Sequence, residues 1–161
     1  MFNFLKKTKS LIIEMPFDGE VVDLSQVPDQ VFSQKMLGDG FAIIPSKGVN
    51  TVKAPCDGEV VQIFPTNHAI GMKTKDGIEM IIHIGIDTVE LKGEGFERLV
   101  TPPCEVKQGA ELLKFDTTIL EGRGKQIITP IVFTEMMPIK QIKPSLGTHK
   151  QGEPVCEVVL K

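Results

Sequence analysis

The chain has 161 residues, a net charge of −3 and a charged fraction of 24%, the profile of one ordinary globular domain. Val, Ile and Thr together number 43 against 4 Ala, while Gly and Pro make 26; this balance excludes a helix bundle or coiled coil. The mild acidity argues against a nucleic-acid partner, and no apolar run reaches the roughly 20 residues of a membrane helix.

Lys6, Lys7 and Lys9 give the first ten residues a charge of +3, interleaved with Phe2, Phe4 and Leu5. Residues 1–12 read as a flexible basic and apolar tail without the order of a signal peptide. Lysines mixed with apolar side chains suit weak contact of residues 1–10 with an anionic lipid surface. Residues 13–161 read as one domain, since no linker interrupts them.

From Glu14 the pattern is strand, turn, strand. Asp18-Gly19 and Asp57-Gly58 mark turns ahead of strands, and the segments PFDGEVVDL and PCDGEVVQI are near copies 39 residues apart. Short helical turns are expected near Val27–Gln34, with Pro28 at a first helical position, and near Thr117–Glu121. Further strands are expected at Phe41–Pro45, Ile70–Thr74, Glu79–Ile84 and Ile127–Phe133. A second similarity joins Val106-Lys107-Gln108-Gly109 to His149-Lys150-Gln151-Gly152, each followed by an apolar, strand-like run. The expected fold is all-β: a single antiparallel sandwich or barrel-like domain built from duplicated hairpin units, with only short helical turns.

Cys56, Cys104 and Cys156 are odd in number and lack CxxC spacing, which fits free thiols in a reducing cytoplasm. Phosphate-loop, dinucleotide-binding, HExxH and GxSxG signatures are absent, so no nucleotide or other cofactor is expected. A lipoyl-type domain needs a lysine in a Met-Lys-Met or Asp-Lys-Ala turn, and Met72-Lys73-Thr74 matches neither.

The chemistry must then rest on histidine. In a strand, His83 shares a face with Glu79 and Ile81, while Met80, Ile82 and Ile84 point the other way. The glycine that follows allows close backbone approach, so a carbonyl can select the imidazole tautomer and leave the other nitrogen nucleophilic. His68 lies in Pro65-Thr66-Asn67-His68, where Thr66 can orient it. His149 lies in a polar turn and reads as a solvated bystander. Two histidines alone do not make a zinc site.

The run from His83 through Phe96, HIGIDTVELKGEGF, closely resembles the active-site segment of the enzyme IIA component, glucose family, of the bacterial phosphoenolpyruvate–sugar phosphotransferase system. Val27-Pro28-Asp29, Val31-Phe32, Gly38-Asp39-Gly40, Ala54-Pro55, Asp57-Gly58, Thr66-Asn67-His68-Ala69 and Thr129-Pro130 match family landmarks in order, so the resemblance covers nearly the whole chain from about residue 13.

The resemblance implies that His83 accepts a phosphoryl group on Nε2 and that His68 contacts the phosphoryl oxygens and supports onward transfer. It implies that Thr66 fixes His68, that the Gly85 carbonyl binds His83, and that Asp29 and Asp87 are acidic residues flanking the site. The implied donor is the small histidine phosphocarrier protein, and the implied acceptor a cysteine on the IIB domain of a sugar permease. Val31, Phe32, Phe64, Ile81 and Val89 are expected as an apolar rim and docking surface. Regulatory targets chosen by the phosphorylation state of His83 form the alternative reading. The resemblance also implies no intrinsic metal, although His68 and His83 can share one when a partner adds a carboxylate. A free-standing cytoplasmic protein, peripheral to the inner face of the membrane through its tail, is the expected form.

Overall fold

Alternation of β-branched and polar residues between Gly- and Pro-marked turns produces fourteen short strands among the described residues. The computed structural model describes residues 9–161. In chain order the strands are Ser10–Glu14 (β1), Gly19–Asp23 (β2), Asp39–Pro45 (β3), Val49–Lys53 (β4), Gly58–Ile63 (β5), Ala69–Lys73 (β6), Glu79–His83 (β7), Phe96–Arg98 (β8), Cys104–Val106 (β9), Glu111–Asp116 (β10), Thr129–Phe133 (β11), Ile139–Pro144 (β12), Gly147–His149 (β13) and Pro154–Leu160 (β14). Helix is confined to Gln30–Ser33 (α1), Thr117–Gly122 (α2) and the 3-10 turns Leu24–Gln26 and Thr88–Leu91. The antiparallel all-β architecture expected from composition is the one observed.

Eight strands form one sheet in the order β13-β2-β3-β11-β7-β6-β5-β9; two three-stranded sheets, β1-β14-β12 and β4-β10-β8, complete the fold. These orders reveal the duplication. β13-β2-β3-β11 in one half corresponds to β9-β5-β6-β7 in the other, and the pair β11/β7 joins them. The repeated motifs perform the same task twice: Asp18 Oδ1 accepts the Gln151 N–H and Asp57 Oδ1 accepts the Gln108 N–H, both at 2.7 Å. The halves also tie across each other, Glu14 N–H to the Pro55 carbonyl and Lys53 N–H to the Pro16 carbonyl, each at 2.9 Å.

The halves differ where chemistry is concerned. Strand register makes Ile43 the counterpart of Met72, which places Asp39 opposite His68 and Val132 opposite His83 in the correspondence. β5 carries a bulge between Val60 and Gln62, whereas β2 pairs with β3 without a shift.

Apolar side chains on one face of the large sheet, among them Phe41, Ile43, Met72, Ile82 and Phe133, pack with Ile13, Val52, Phe115 and Val158 from the smaller sheets. This is the main core. The opposite face of β3, β11 and β7 is covered locally by the 24–33 segment, where Leu24, Val27 and Phe32 pack on Ala42, Ile86, Ile128 and Val132. This smaller cluster underlies the histidines.

Three details depart from the sequence reading. Pro28 precedes the helix: Asp29 is its N-cap, accepting the Val31 N–H at 2.9 Å, so the carboxylate rather than the proline starts α1. His149 is not a solvated turn residue. It ends β13 half-buried, its Nε2 is 2.9 Å from the Ser145 carbonyl, and Nδ1 is 3.4 Å from Glu153. β1 begins at Ser10, within the segment assigned to the tail; residues 1–8, and with them most of the lipid-contact expectation, lie outside the described residues. Among the described residues no helix is long and apolar enough to cross a membrane.

Candidate functional site

His83 is the last residue of β7, on the face away from the main core together with Glu79 and Ile81. The strand stops because the chain turns left-handed at Gly85 (φ +72°) and Asp87 (φ +59°). Glycine is required at the first of these positions. A Cβ there would stand 2.7 Å from Thr88 Cγ2 and 2.8 Å from the Gln126 carbonyl oxygen, on a backbone conformation that L side chains resist. The turn swings the Gly85 carbonyl to 2.8 Å from His83 Nδ1. A carbonyl only accepts, so Nδ1 carries the proton and Nε2 carries the lone pair.

His68 is buried, directly ahead of β6, where Ala69 pairs with His83. Its Nδ1 lies 2.5 Å from Thr66 Oγ1. The loop before it is closed by Asn67 N–H to the Phe64 carbonyl at 2.7 Å and Phe64 N–H to the Ala69 carbonyl at 2.9 Å, with Asn67 at φ +63°. The two imidazoles meet at a centroid separation of 5.1 Å and an interplanar angle of 76°. Phe32 packs on His83 at 5.1 Å, and Phe64 packs edge-on against His68 at 5.5 Å.

Burial sets the protonation of both rings. It pushes His68 down to about 4, helped by the adjacent His83. His83 is also held below the ordinary histidine value, first by burial; the Gly85 carbonyl and the charges of Asp29 and Asp87 work in the opposite direction. Both rings are therefore neutral near pH 7. Among the described residues no group of three His, Cys, Asp or Glu side chains is placed to hold a metal ion.

The structure brings His83, His68, Thr66 and Gly85 together, with Asp29 and Asp87 on turns that flank them. The expected rim is mixed. Val31 and Val89 are exposed on the turns carrying Asp29 and Asp87, Phe64 and Ile81 are half-buried, and Phe32 is a core side chain with one ring face on His83. Sequence reasoning missed three supports. Arg98 donates from Nε to Asn67 Oδ1 at 2.8 Å and brings Nη2 to 3.4 Å from the Ile63 and Phe64 carbonyls, pinning the His68 loop. Buried Thr88 donates to the Ile84 carbonyl at 2.6 Å. The Gln126 carbonyl accepts the Ile86 N–H at 3.0 Å. None of the three has a local sequence signal.

Residues 11–139 match the family model described as phosphoenolpyruvate-dependent sugar phosphotransferase system, EIIA 1. The chain is 42% identical to the PTS system glucose-specific EIIA component of Bacillus cereus over 163 aligned residues, covering 100% of this chain and 98% of that protein. It is 44% identical to the protein of the same name from Haemophilus influenzae, covering 97% and 94%. It is also 57% identical to the PTS system glucosamine-specific EIICBA component of Bacillus subtilis over 74% of this chain, which spans 18% of that much longer protein. Among solved structures, glucose permease IIA from Mycoplasma capricolum aligns at a TM-score of 0.85 with 40% identity, over 98% of this chain and 99% of that one. A fold and sequence shared along almost their entire length with these proteins place the chain in the EIIA 1 family of the phosphoenolpyruvate-dependent sugar phosphotransferase system, as a phosphocarrier component of sugar uptake.

Proposed function

We propose that Nε2 of His83 is the phosphoryl acceptor, taking the group from the phosphohistidine of the histidine phosphocarrier protein and yielding it to a cysteine thiolate on a permease IIB domain. The Nδ1–H to Gly85 carbonyl contact is the observation that supports this most directly, because it leaves the Nε2 lone pair available. In the first step the donor's N–P bond breaks as the Nε2–P bond forms, and the donor ring departs with the electron pair. The His83 ring, keeping its Nδ1 proton, becomes a phosphoimidazolium. The groups that favour a protonated His83, namely the Gly85 carbonyl, Asp29 and Asp87, favour that cationic ring for the same electrostatic reason.

His68 is neutral and holds Nδ1 against Thr66. With the Thr66 hydroxyl donating to Nδ1, the proton of His68 sits on Nε2, a donor for the phosphoryl oxygens. Phosphoryl transfer is chiefly positioning and charge stabilisation, and a fixed donor supplies both without metal or nucleotide. Exposed Val31 and Val89 beside Asp29 and Asp87 make an apolar patch with an acidic border, suited to a partner carrying basic residues. The relatives' names attach this unit to glucose and glucosamine systems, so the acceptor we assign is a permease of that hexose class.

The test is incubation with phosphoenolpyruvate, enzyme I and the phosphocarrier, followed by mass spectrometry under alkaline conditions. A single acid-labile phosphate on His83, absent from His83→Ala, is expected. Phosphate on His68 in the wild-type chain, or on neither histidine, overturns the assignment.

A further inference from the structure

The peptide unit between Gly85 and Ile86 is engaged at both ends. Its carbonyl oxygen faces His83 Nδ1 at 2.8 Å, and its N–H donates to the Gln126 carbonyl at 3.0 Å. A peptide whose N–H is hydrogen-bonded is polarised and becomes a stronger acceptor at its oxygen. Gln126 therefore stands one peptide behind the nucleophile. The approach is tight, since the Gln126 oxygen occupies the space that any Cβ on Gly85 would need.

Gln126 belongs to the irregular segment after α2, held on its own side by the Lys125 N–H to Leu120 carbonyl bond at 3.0 Å. Two ion pairs join this segment to the loop that follows His83. Arg123 Nη2 lies 2.9 Å from Glu94 Oε2, and Lys125 Nζ contacts Glu90 Oε1. They are unequal partners. Both side chains of the Arg123–Glu94 pair are about half exposed, and exposed pairs contribute little, whereas the Lys125 side chain is 18% exposed against an exposed Glu90. A lysine whose stem is packed this closely has few directions left for its head, so its contact with Glu90 fixes the segment better than a pair between two freely moving side chains does. Glu90 sits in the 3-10 turn immediately after Asp87.

We infer that Lys125 is a positioning residue for His83: by fastening its segment to Glu90 across the active loop, it keeps the Gln126 carbonyl on the Ile86 N–H and so holds the Gly85 carbonyl against Nδ1. The inference rests on the reading of His83 as phosphoryl acceptor and deepens it. Its chain of contacts runs from Lys125 through Gln126 and a single peptide to the imidazole, without touching the reacting atoms.

The experiment reads the imidazole itself. Nitrogen-15 NMR of the full chain, unphosphorylated, follows the tautomer and titration of His83 in wild type, Lys125→Met, Lys125→Arg, Glu90→Gln and Lys143→Met. The last is a control in the β1-β14-β12 sheet, where Lys143 faces Glu157. Lys125→Met and Glu90→Gln should each shift the neutral ring away from the Nδ1–H form, lower its titration point and slow phosphate acceptance about tenfold. Lys125→Arg should retain the wild-type signature, and Lys143→Met should match wild type. Glu90→Gln leaves the Lys125 stem packed, so the question is answered even if Lys125→Met folds poorly. An unchanged His83 tautomer in Glu90→Gln, whatever the stability, overturns the inference. Tautomer shifts in the variants, with no phosphate taken up on His83 of the wild-type chain, defeat the underlying assignment instead.

Discussion

The carbonyl of His68 accepts the N–H of Ile84 at 2.8 Å, so the two histidines are tied through the main chain as well as packed edge to face. Each ring is then pinned by a neighbour two residues away in sequence, Thr66 for His68 and Gly85 for His83. Strand pairing fixes the separation, and local turns fix the orientation.

Two neutral histidines, His68 buried and His83 half-buried, make stability depend on pH with a definite sign. The folded His68 takes up its proton only near pH 4, while the unfolded chain does so near the ordinary value of about 6.5. Between these values the unfolded state binds more protons, so stability falls as pH drops from about 6.5 to about 4. At about 1.4 kcal/mol per unit, His68 contributes at most about 3 kcal/mol of this loss. Urea denaturation across that range should show the slope in wild type and a shallower one in His68→Gln.

The proposed roles of the two histidines are separable by experiment. His68→Gln should still accept phosphate, since attack by Nε2 of His83 does not require it, but should donate poorly to the IIB cysteine. Thr66→Val removes the hydroxyl at constant shape and should slow onward transfer about tenfold, as loss of an orienting partner does elsewhere, with Thr66→Ser restoring it. Single-turnover transfer from the phosphorylated chain measures both. Normal donation by His68→Gln refutes its role.

Gly85→Ala should destabilise by about 2–4 kcal/mol, combining left-handed backbone strain with overpacking against Thr88 and Gln126. Gly77, at φ +81° with nothing near its Cβ direction, isolates the first contribution. Gly77→Ala should cost only about 1 kcal/mol. Equal losses in denaturant melts would show that the close packing behind His83 carries no energy.

Reversing the charge at Asp29 and Asp87 together should slow phosphorylation by the phosphocarrier and flatten its dependence on salt, because steering by opposite charges is screened by ions. Stopped-flow or quenched-flow rates at several ionic strengths provide the measurement. Asp29→Asn alone should act less on steering and keep α1 capped.

The duplication makes its own quantitative demand. Asp18 and Asp57 accept equivalent backbone N–H groups at the same 2.7 Å distance, so Asp18→Ala and Asp57→Ala should each cost about 1 kcal/mol. Markedly different losses would mean that the two turns, alike in geometry, bear different loads.

Much of this was readable in the chain itself. PFDGEVVDL and PCDGEVVQI announced β2 and β5 because a glycine turn followed by β-branched residues has few alternatives. The three-residue strands Phe96–Arg98, Cys104–Val106 and Gly147–His149 are too short to show a period of two, so the sequence around His149 looks like a polar turn. At the site, His83, Gly85, Thr66 and His68 lie close together in sequence and in a recognisable order. Arg98 acts on a loop 31 residues away. Gln126 acts through a main-chain oxygen that any residue would supply, so its side-chain identity records nothing of its task.

The position of β14 has a consequence for how the molecule is made. It lies between β1 and β12, and among the described residues β1 has no other strand partner. During synthesis the segment Ser10–Glu14 therefore waits, with Ile13 destined for the core, until Pro154–Leu160 has left the ribosome. Loop closure over that distance is slow compared with local hairpins. Until then one flank of the nascent chain exposes an unpaired strand edge, and the emergence of β14, rather than formation of the first hairpins, is the moment at which β1 can pair.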